Sequence, residues 1–213
     1  FIERHKDEPF FLYIPHLGIH FPWQGPEDPP HRQPGIAYHQ DKWGLIPDRS
    51  NVFPHVKGMI ESVDQSVGRI LGTLKEEGLL ENTLVIFTSD NGGYISYSGG
   101  FENISSNGPL RGQKTQVYEG GHRVPTIAFW PGKIKPGVTD QTSISMDWFP
   151  TFAKMTGISL GELPTDGVDL SPLLFHGKPL PERNLYWRIR GNWAVRSGPW
   201  KLTHANGKSG FFN

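Results

Sequence analysis

Cysteine is absent from this 213-residue chain. That excludes a disulfide framework, a thiolate metal site and a cysteine nucleophile within these residues. An imbalance of charge is absent too: 21 basic residues meet 21 acidic ones. The basic footprint of a nucleic-acid binder is therefore not expected. No apolar run approaches the roughly 20 residues of a membrane span, and no signal peptide or initiator methionine opens the chain. The opening, FIERHKDEPFFLYIPH, reads as the tail of a helix running into a strand, and the end, SGFFN, stops on an apolar run with no closing element. Both ends read as interior stretches of a longer protein. What the chain does have is 26 glycines and 19 prolines, as expected of a scaffold whose loops carry a site.

The apolar pattern predicts an α/β fold. PFFLYIPH (9–16) reads as a short buried strand. Five prolines within residues 22–34 exclude regular structure there, and residues 35–54 stay irregular. Ile60, Val63, Val67, Ile70, Leu71 and Leu74 then recur at three- and four-residue steps, one face of an amphipathic helix ended by Gly78. The strand TLVIFTS (83–89) follows, and helix then strand is half of a βαβ unit. Residues 92–112 predict a long loop. VPTIAFW (124–130) predicts a second buried strand, closed by Pro131-Gly132. SMDWFPTFAKMTG (145–157) predicts a short helix with Asp147 as its cap, Pro150 in the first turn and Gly157 past the end. Beyond about residue 183, NLYWRIR, NWAVRSG and WKLTHA predict an antiparallel sheet. The expected organisation is one α/β part over 1–183 and the start of a small, truncated antiparallel subdomain over 184–213.

Ligands in open α/β sheets bind beyond the carboxyl ends of strands, and several polar residues fall there. Asp90 and Asn91 follow the strand at 83–89 and both offer oxygen, which hard cations prefer. His20 lies beyond the strand at 9–15, with His16 an equal competitor on composition. Lys114 sits in the loop LRGQKTQVYEGGHRVP before the strand at 124–130. Each has a plain structural reading: Asp90-Asn91-Gly92 as an Asx turn, His20 as one more ring in an aromatic loop, Lys114 as a solvated cation. In EGGHR, Glu119 and Arg123 could pair locally. Together they describe another possibility: a cation held by a carboxylate and an amide oxygen, beside a lysine and a histidine that neutralise charge and protonate a leaving oxygen. The residues alone reach metal-assisted oxyanion chemistry and leave both readings open.

The ordered fragments FFLYIPHLGIHFP, MIESVDQSVGRILGTLKEEGLLENTLVIFTSDNGG, LRGQKTQVYEGGHRVPTIAFWPGKIKPG, SMDWFPTFAKMTG and DGVDLSPLL resemble the C-terminal half of the type I, formylglycine-dependent sulfatases. That resemblance implies an alkaline-phosphatase-like sheet sandwiched by helices, here without its N-terminal part, and a small C-terminal antiparallel sheet. It implies a metal role, for calcium or magnesium, at Asp90 and Asn91. It matches His20, which alone has a proline two residues on, to the histidine that approaches the sulfate and its leaving-group oxygen, a general acid. It matches Lys114 to a lysine that contacts the sulfate. The family's formylglycine arises from a C/S-x-P-x-R motif that does not occur in these residues, and a maturation enzyme that generates it is an implied partner. The resemblance further implies a sulfated small-molecule or polysaccharide substrate, and a periplasmic, secreted or lysosomal location.

Two rivals stand beside that reading. A phosphoester or phosphonate hydrolase of the same superfamily would commonly use two metal ions and added histidines, for which His122 is the one candidate. A non-catalytic relative would keep the scaffold as a binding module. Trp23 and Trp43, in the aromatic loop at 21–43, suit stacking on sugar rings or plain packing, and Asn103-Ile104-Ser105 is a formal glycosylation sequon.

Overall fold

The computed structural model describes residues 1–28, 48 and 50–213. Trp43 lies outside the described residues. The chain divides into two compact units: Phe1–Leu80 with Asn91–Lys114 and Glu119–Arg123, and Glu81–Asp90 with Thr115–Tyr118 and Val124–Asn213.

The first unit is organised by the helix α1, Phe53–Glu76, with proline in its first turn. Its end is written in the sequence. Gly78 adopts φ +69°, which an L side chain resists, and the Leu79 N–H donates to the Leu74 carbonyl at 2.8 Å. This is the six-to-one bond of a glycine-capped helix terminus. The expected apolar stripe is present, with Leu74 buried and Val63, Val67, Ile70 and Leu71 half-buried, and it extends back to the buried Val56 and Met59; Ile60 is the exception at 52% exposed. Val56 and Met59 pack with Phe21, Trp23, Val52, Phe101 and Ile104 in one core cluster.

Trp23 is 2% exposed and sits at the centre of this cluster. Its ring meets Phe21 at 5.3 Å, Phe101 at 5.4 Å and Tyr97 at 5.7 Å between centroids, in edge-on geometries. Such pairs add about 0.5–1.5 kcal/mol each beyond burial. The sugar-stacking role considered for Trp23 is thereby replaced by a core role. Phe101 and Tyr97 arrive on a small hairpin, β2 (Ser96–Tyr97) against β3 (Phe101–Glu102), inside the stretch expected to be a loop.

The opening segment corrects a second expectation. Residues 9–16 form no strand; Phe11 and Tyr13 are 72% and 75% exposed. A strand needs a neighbour to satisfy its backbone, and no pairing strand runs beside this segment among the described residues.

In the second unit, β1 (Val85–Thr88) pairs with β4 (Thr126–Phe129) in antiparallel register, Val85 opposite Phe129 and Thr88 opposite Thr126. The helix-then-strand order of a βαβ half is present, but the neighbour found for β1 runs the other way. Besides the β2–β3 hairpin, the segment between them carries one helix, the four-residue α2 (Glu119–His122), too short a helix for a parallel crossover. The burial expected of both strands is also corrected, since Phe87, Ile127 and Phe129 are 44%, 57% and 41% exposed.

Helix α3, Trp148–Met155, ends as expected at Gly157, with φ +73° and the Ile158 N–H donating to the Ala153 carbonyl at 2.9 Å. Asp147 is not its side-chain cap. The carboxylate is fully buried, accepts the Ile144 and Val168 N–H groups at 2.8 and 3.0 Å, and receives both Arg183 guanidinium nitrogens at 2.6 Å. It ties the start of α3 to the approach to the C-terminal sheet. A short helix, α4 (Ser171–His176), intervenes.

That sheet is the expected antiparallel one: β5 (Asn184–Ile189), β6 (Asn192–Ser197), β7 (Trp200–Ala205) and β8 (Lys208–Phe212), in sequential order. The stretch ending in SGFFN, for which no element was expected, forms the strand β8. The Asn206-Gly207 turn, with φ +53° and +74°, joins it to β7 as a tight hairpin requires. Ala194 and Ala205 on one sheet face pack with Val117 and Tyr118. Among the described residues, no helix is long and apolar enough to cross a membrane.

Candidate active site

Asp90 lies two residues beyond the end of β1 and is exposed; Asn91 is half-buried and begins the next segment of the first unit. The backbone that follows is held by unusually close approaches. The Gly92 N–H donates to the Gly121 carbonyl at 3.0 Å, and the Gly120 N–H to the Arg111 carbonyl at 2.8 Å. A Cβ on Gly92 would overlap the Gly120 carbonyl, and a Cβ on Gly120 would overlap the Gly112 carbonyl. Only glycine fits at either position. The Lys114 N–H then donates to the Gly93 carbonyl at 3.3 Å, so the loop bearing Lys114 is fastened to the turn bearing Asn91. Replacing Gly120 by alanine is expected to cost about 1–3 kcal/mol through this overlap, read as a lower unfolding midpoint. Unchanged stability would show that the seam yields.

The Lys114 ammonium stands 5.7 Å from the centroid of the Tyr94 ring, within cation–π range. Tyr94 packs against the aromatic core through Tyr97, at 4.8 Å between centroids. His20 precedes buried Phe21, which meets Tyr97 at 5.4 Å. Lys114 is thus linked through Tyr94 and Tyr97 to the aromatic core and through its N–H to Gly93, while His20 is next to that core in sequence only, through Phe21.

His20 itself is exposed, and its Nδ1 lies 2.8 Å from the Phe21 carbonyl oxygen. A carbonyl only accepts, so Nδ1 carries the proton and Nε2 is left to exchange one. His16 differs: its Nδ1 accepts the Gly18 N–H at 3.1 Å. His122 is half-buried in α2. The local pairing of Arg123 with Glu119 is present at 3.8 Å.

The donors fit a hard cation in kind, with a carboxylate and a carboxamide side by side. In number they are a minority of the six to eight oxygens calcium takes. No group of three or more histidine or carboxylate side chains that could hold a metal occurs among the described residues.

Two residues that pattern reasoning passed over hold this region together. Asn107 accepts the Gly93 N–H at 3.0 Å and donates to the Gly93 and Gly112 carbonyls, each at 3.0 Å. Gln113 accepts the Ile95 and Ser96 N–H groups at 2.7 and 2.8 Å. Asn107-Gly108 carries an ordinary turn signal, and nothing in spacing marks either as a clamp.

Comparison with known proteins places the chain. The Sulfatase family profile matches residues 1–158, and the chain belongs to that family. It is 37% identical over 205 residues to human arylsulfatase A, covering 93% of this chain and 36% of that protein. Among solved structures, Ps i-CgsB in complex with k-i-k-neocarrahexaose is similar at a TM-score of 0.66 and 28% identity, over 84% of this chain and 40% of that one. A protein solved in work on the metabolism of multiple glycosaminoglycans by Bacteroides thetaiotaomicron is similar at a TM-score of 0.71 and 26% identity, over 95% and 40%. The chain therefore spans little more than a third of the curated relative's length. Its fold class is that of a partial alkaline-phosphatase-like α/β domain with a small C-terminal antiparallel sheet.

Proposed function

We propose that this chain is the C-terminal portion of a sulfatase that hydrolyses sulfate esters of a carbohydrate. The observation that carries the proposal is the fastening of Lys114 to the Asp90-Asn91-Gly92-Gly93 turn, through the Gly93 carbonyl, in a chain of the sulfatase family. Asp90 and Asn91 would supply two oxygen ligands to a calcium or magnesium ion, which adds positive charge beside a sulfate group. Lys114 neutralises a sulfate oxygen, since its ammonium has no carboxylate partner among the described residues. His20 delivers a proton from Nε2 to the alcohol oxygen as its bond to sulfur breaks. Ester and water thus become sulfate and alcohol.

The nucleophile and remaining metal ligands are assigned to residues outside this chain, with formylglycine as the nucleophile and an enzyme that generates it as a partner. The exposed apolar side chains of β1 and β4 suit a sheet extended by residues outside this chain. The carbohydrate class rests on the relatives solved with a carrageenan-derived hexaose or in glycosaminoglycan metabolism. A periplasmic, secreted or lysosomal setting follows from that role. The domain division at 183–184 is proposed on the same footing.

Peptide mass spectrometry of the full-length protein tests the chemistry. A cysteine or serine converted to formylglycine in a C/S-x-P-x-R segment is the expected result; an unmodified nucleophile accompanied by extra metal-binding histidines would move the reading to phosphoester hydrolysis. Residues 1–213 alone are expected to turn over no sulfate ester and to bind calcium weakly at best, and sulfate release by this piece would contradict the division of labour.

A further inference from the structure

We infer that Asn107 is a positioning residue that sets the spacing between the metal-ligand turn and the sulfate-binding lysine, an inference resting on the function proposed above. Its half-buried carboxamide makes three bonds at 3.0 Å: the Gly93 N–H donates to Oδ1, and Nδ2 donates to the Gly93 and Gly112 carbonyls. The orientation of the amide is fixed by its partners, because an N–H can only donate and a carbonyl can only accept. Gly93 lies two residues after Asn91, and Gly112 lies two residues before Lys114. One side chain therefore grips both loops at the same remove from their working residues.

The grip is a shared one. The Gly93 carbonyl receives Asn107 Nδ2 on one lone pair and the Lys114 N–H, at 3.3 Å, on the other. Both backbone groups of Gly93 are thus satisfied by Asn107, as a neighbouring strand would satisfy them, where no such strand pairs among the described residues. Without it, the bond from the Lys114 N–H is the remaining direct backbone tie between this glycine and the lysine loop. Groups that orient first ligands commonly change metal affinity or activity about 10–100-fold when removed. Gln113 ties the hairpin at Ile95 and Ser96 rather than Gly93, so the two clamps are separable.

The test uses the full-length protein with Asn107→Ala, Asn107→Asp and, for comparison, Thr151→Val. Asn107→Asp keeps the acceptor for the Gly93 N–H but sets oxygen against both carbonyls. Thr151→Val removes buried bonds to Asp147 and Leu170 in the other unit, and reports what destabilisation alone does. Three quantities are read: the unfolding midpoint, the calcium dissociation constant by calorimetry, and kcat and KM for sulfate release. Both Asn107 variants are expected to weaken calcium about tenfold and to lower kcat about 10–100-fold, with KM moving less than about threefold. Thr151→Val lowers the midpoint and leaves the other quantities in place. Asn107 variants with a lowered midpoint but wild-type calcium affinity and kcat would overturn the positioning role. So would failure of both to fold where Thr151→Val folds. A wild-type protein that binds no calcium and releases neither sulfate nor phosphate would bring down the proposed function first, and this role with it.

Discussion

Replacing His20 by alanine in the full-length protein is expected to lower kcat on a sugar sulfate by about 10²–10⁴-fold, the usual worth of general acid catalysis. The structure supplies the reason for the choice of atom. Nδ1 is committed to the Phe21 carbonyl at 2.8 Å, so the exchangeable site is Nε2. The loss should shrink on a nitrophenyl sulfate, whose leaving oxygen needs little protonation, and grow as the leaving group becomes more basic. Steady-state rates on a graded series of esters give this slope directly. An equal loss across the series would assign His20 to sulfate binding instead, and no loss would remove it from the reaction. His16→Ala, by contrast, deletes a ring that accepts the Gly18 N–H at 3.1 Å, and is expected to leave the leaving-group dependence unchanged.

The largest expected effect on stability lies at Asp147. Asp147→Asn leaves the Arg183 guanidinium, whose side chain is only 15% exposed, without its opposing charge. Breaking one member of a buried pair costs about 3–5 kcal/mol, because the surviving charge stays out of water. Here the carboxylate also accepts the Ile144 and Val168 N–H groups, so the start of α3 and the 166–170 segment loosen together. Denaturant unfolding should show the loss at near-constant slope. Adding Arg183→Met should recover part of it, since removing both charges is far cheaper than removing one. An Asp147→Asn variant within about 0.5 kcal/mol of the parent would show that the pair contributes little.

These two residues also show what a sequence discloses and what it conceals. Helix ends are local: Gly78 and Gly157 announce their positive φ, and both helices stop where the glycines say. The antiparallel tail is local in its first three strands, which Gly turns separate, whereas the Asn206-Gly207 hairpin to β8 was passed over. Burial is not local. The run PFFLYIPH, β1 and β4 all carry strand-like apolar sequence, yet their exposure is set by neighbours that no single stretch encodes. Asp147 looked like a helix cap because a cap is judged from three or four residues, whereas its actual partner, Arg183, lies 36 residues on. At the candidate site, Asp90, Asn91 and His20 were legible as polar residues just past apolar runs and Lys114 as a cation in the loop before 124–130, and the roles proposed for them come from the family resemblance. Asn107 was not legible, because its work is done on three backbone groups that carry no side-chain signature.

The most direct measurement is release of inorganic sulfate from a sulfated oligosaccharide by the full-length protein, before and after chelation and again after calcium is returned. The account predicts sulfate release that chelation abolishes and calcium restores, with little phosphate released from a matched phosphoester. Undiminished release after chelation, or hydrolysis of the phosphoester alone, would contradict it.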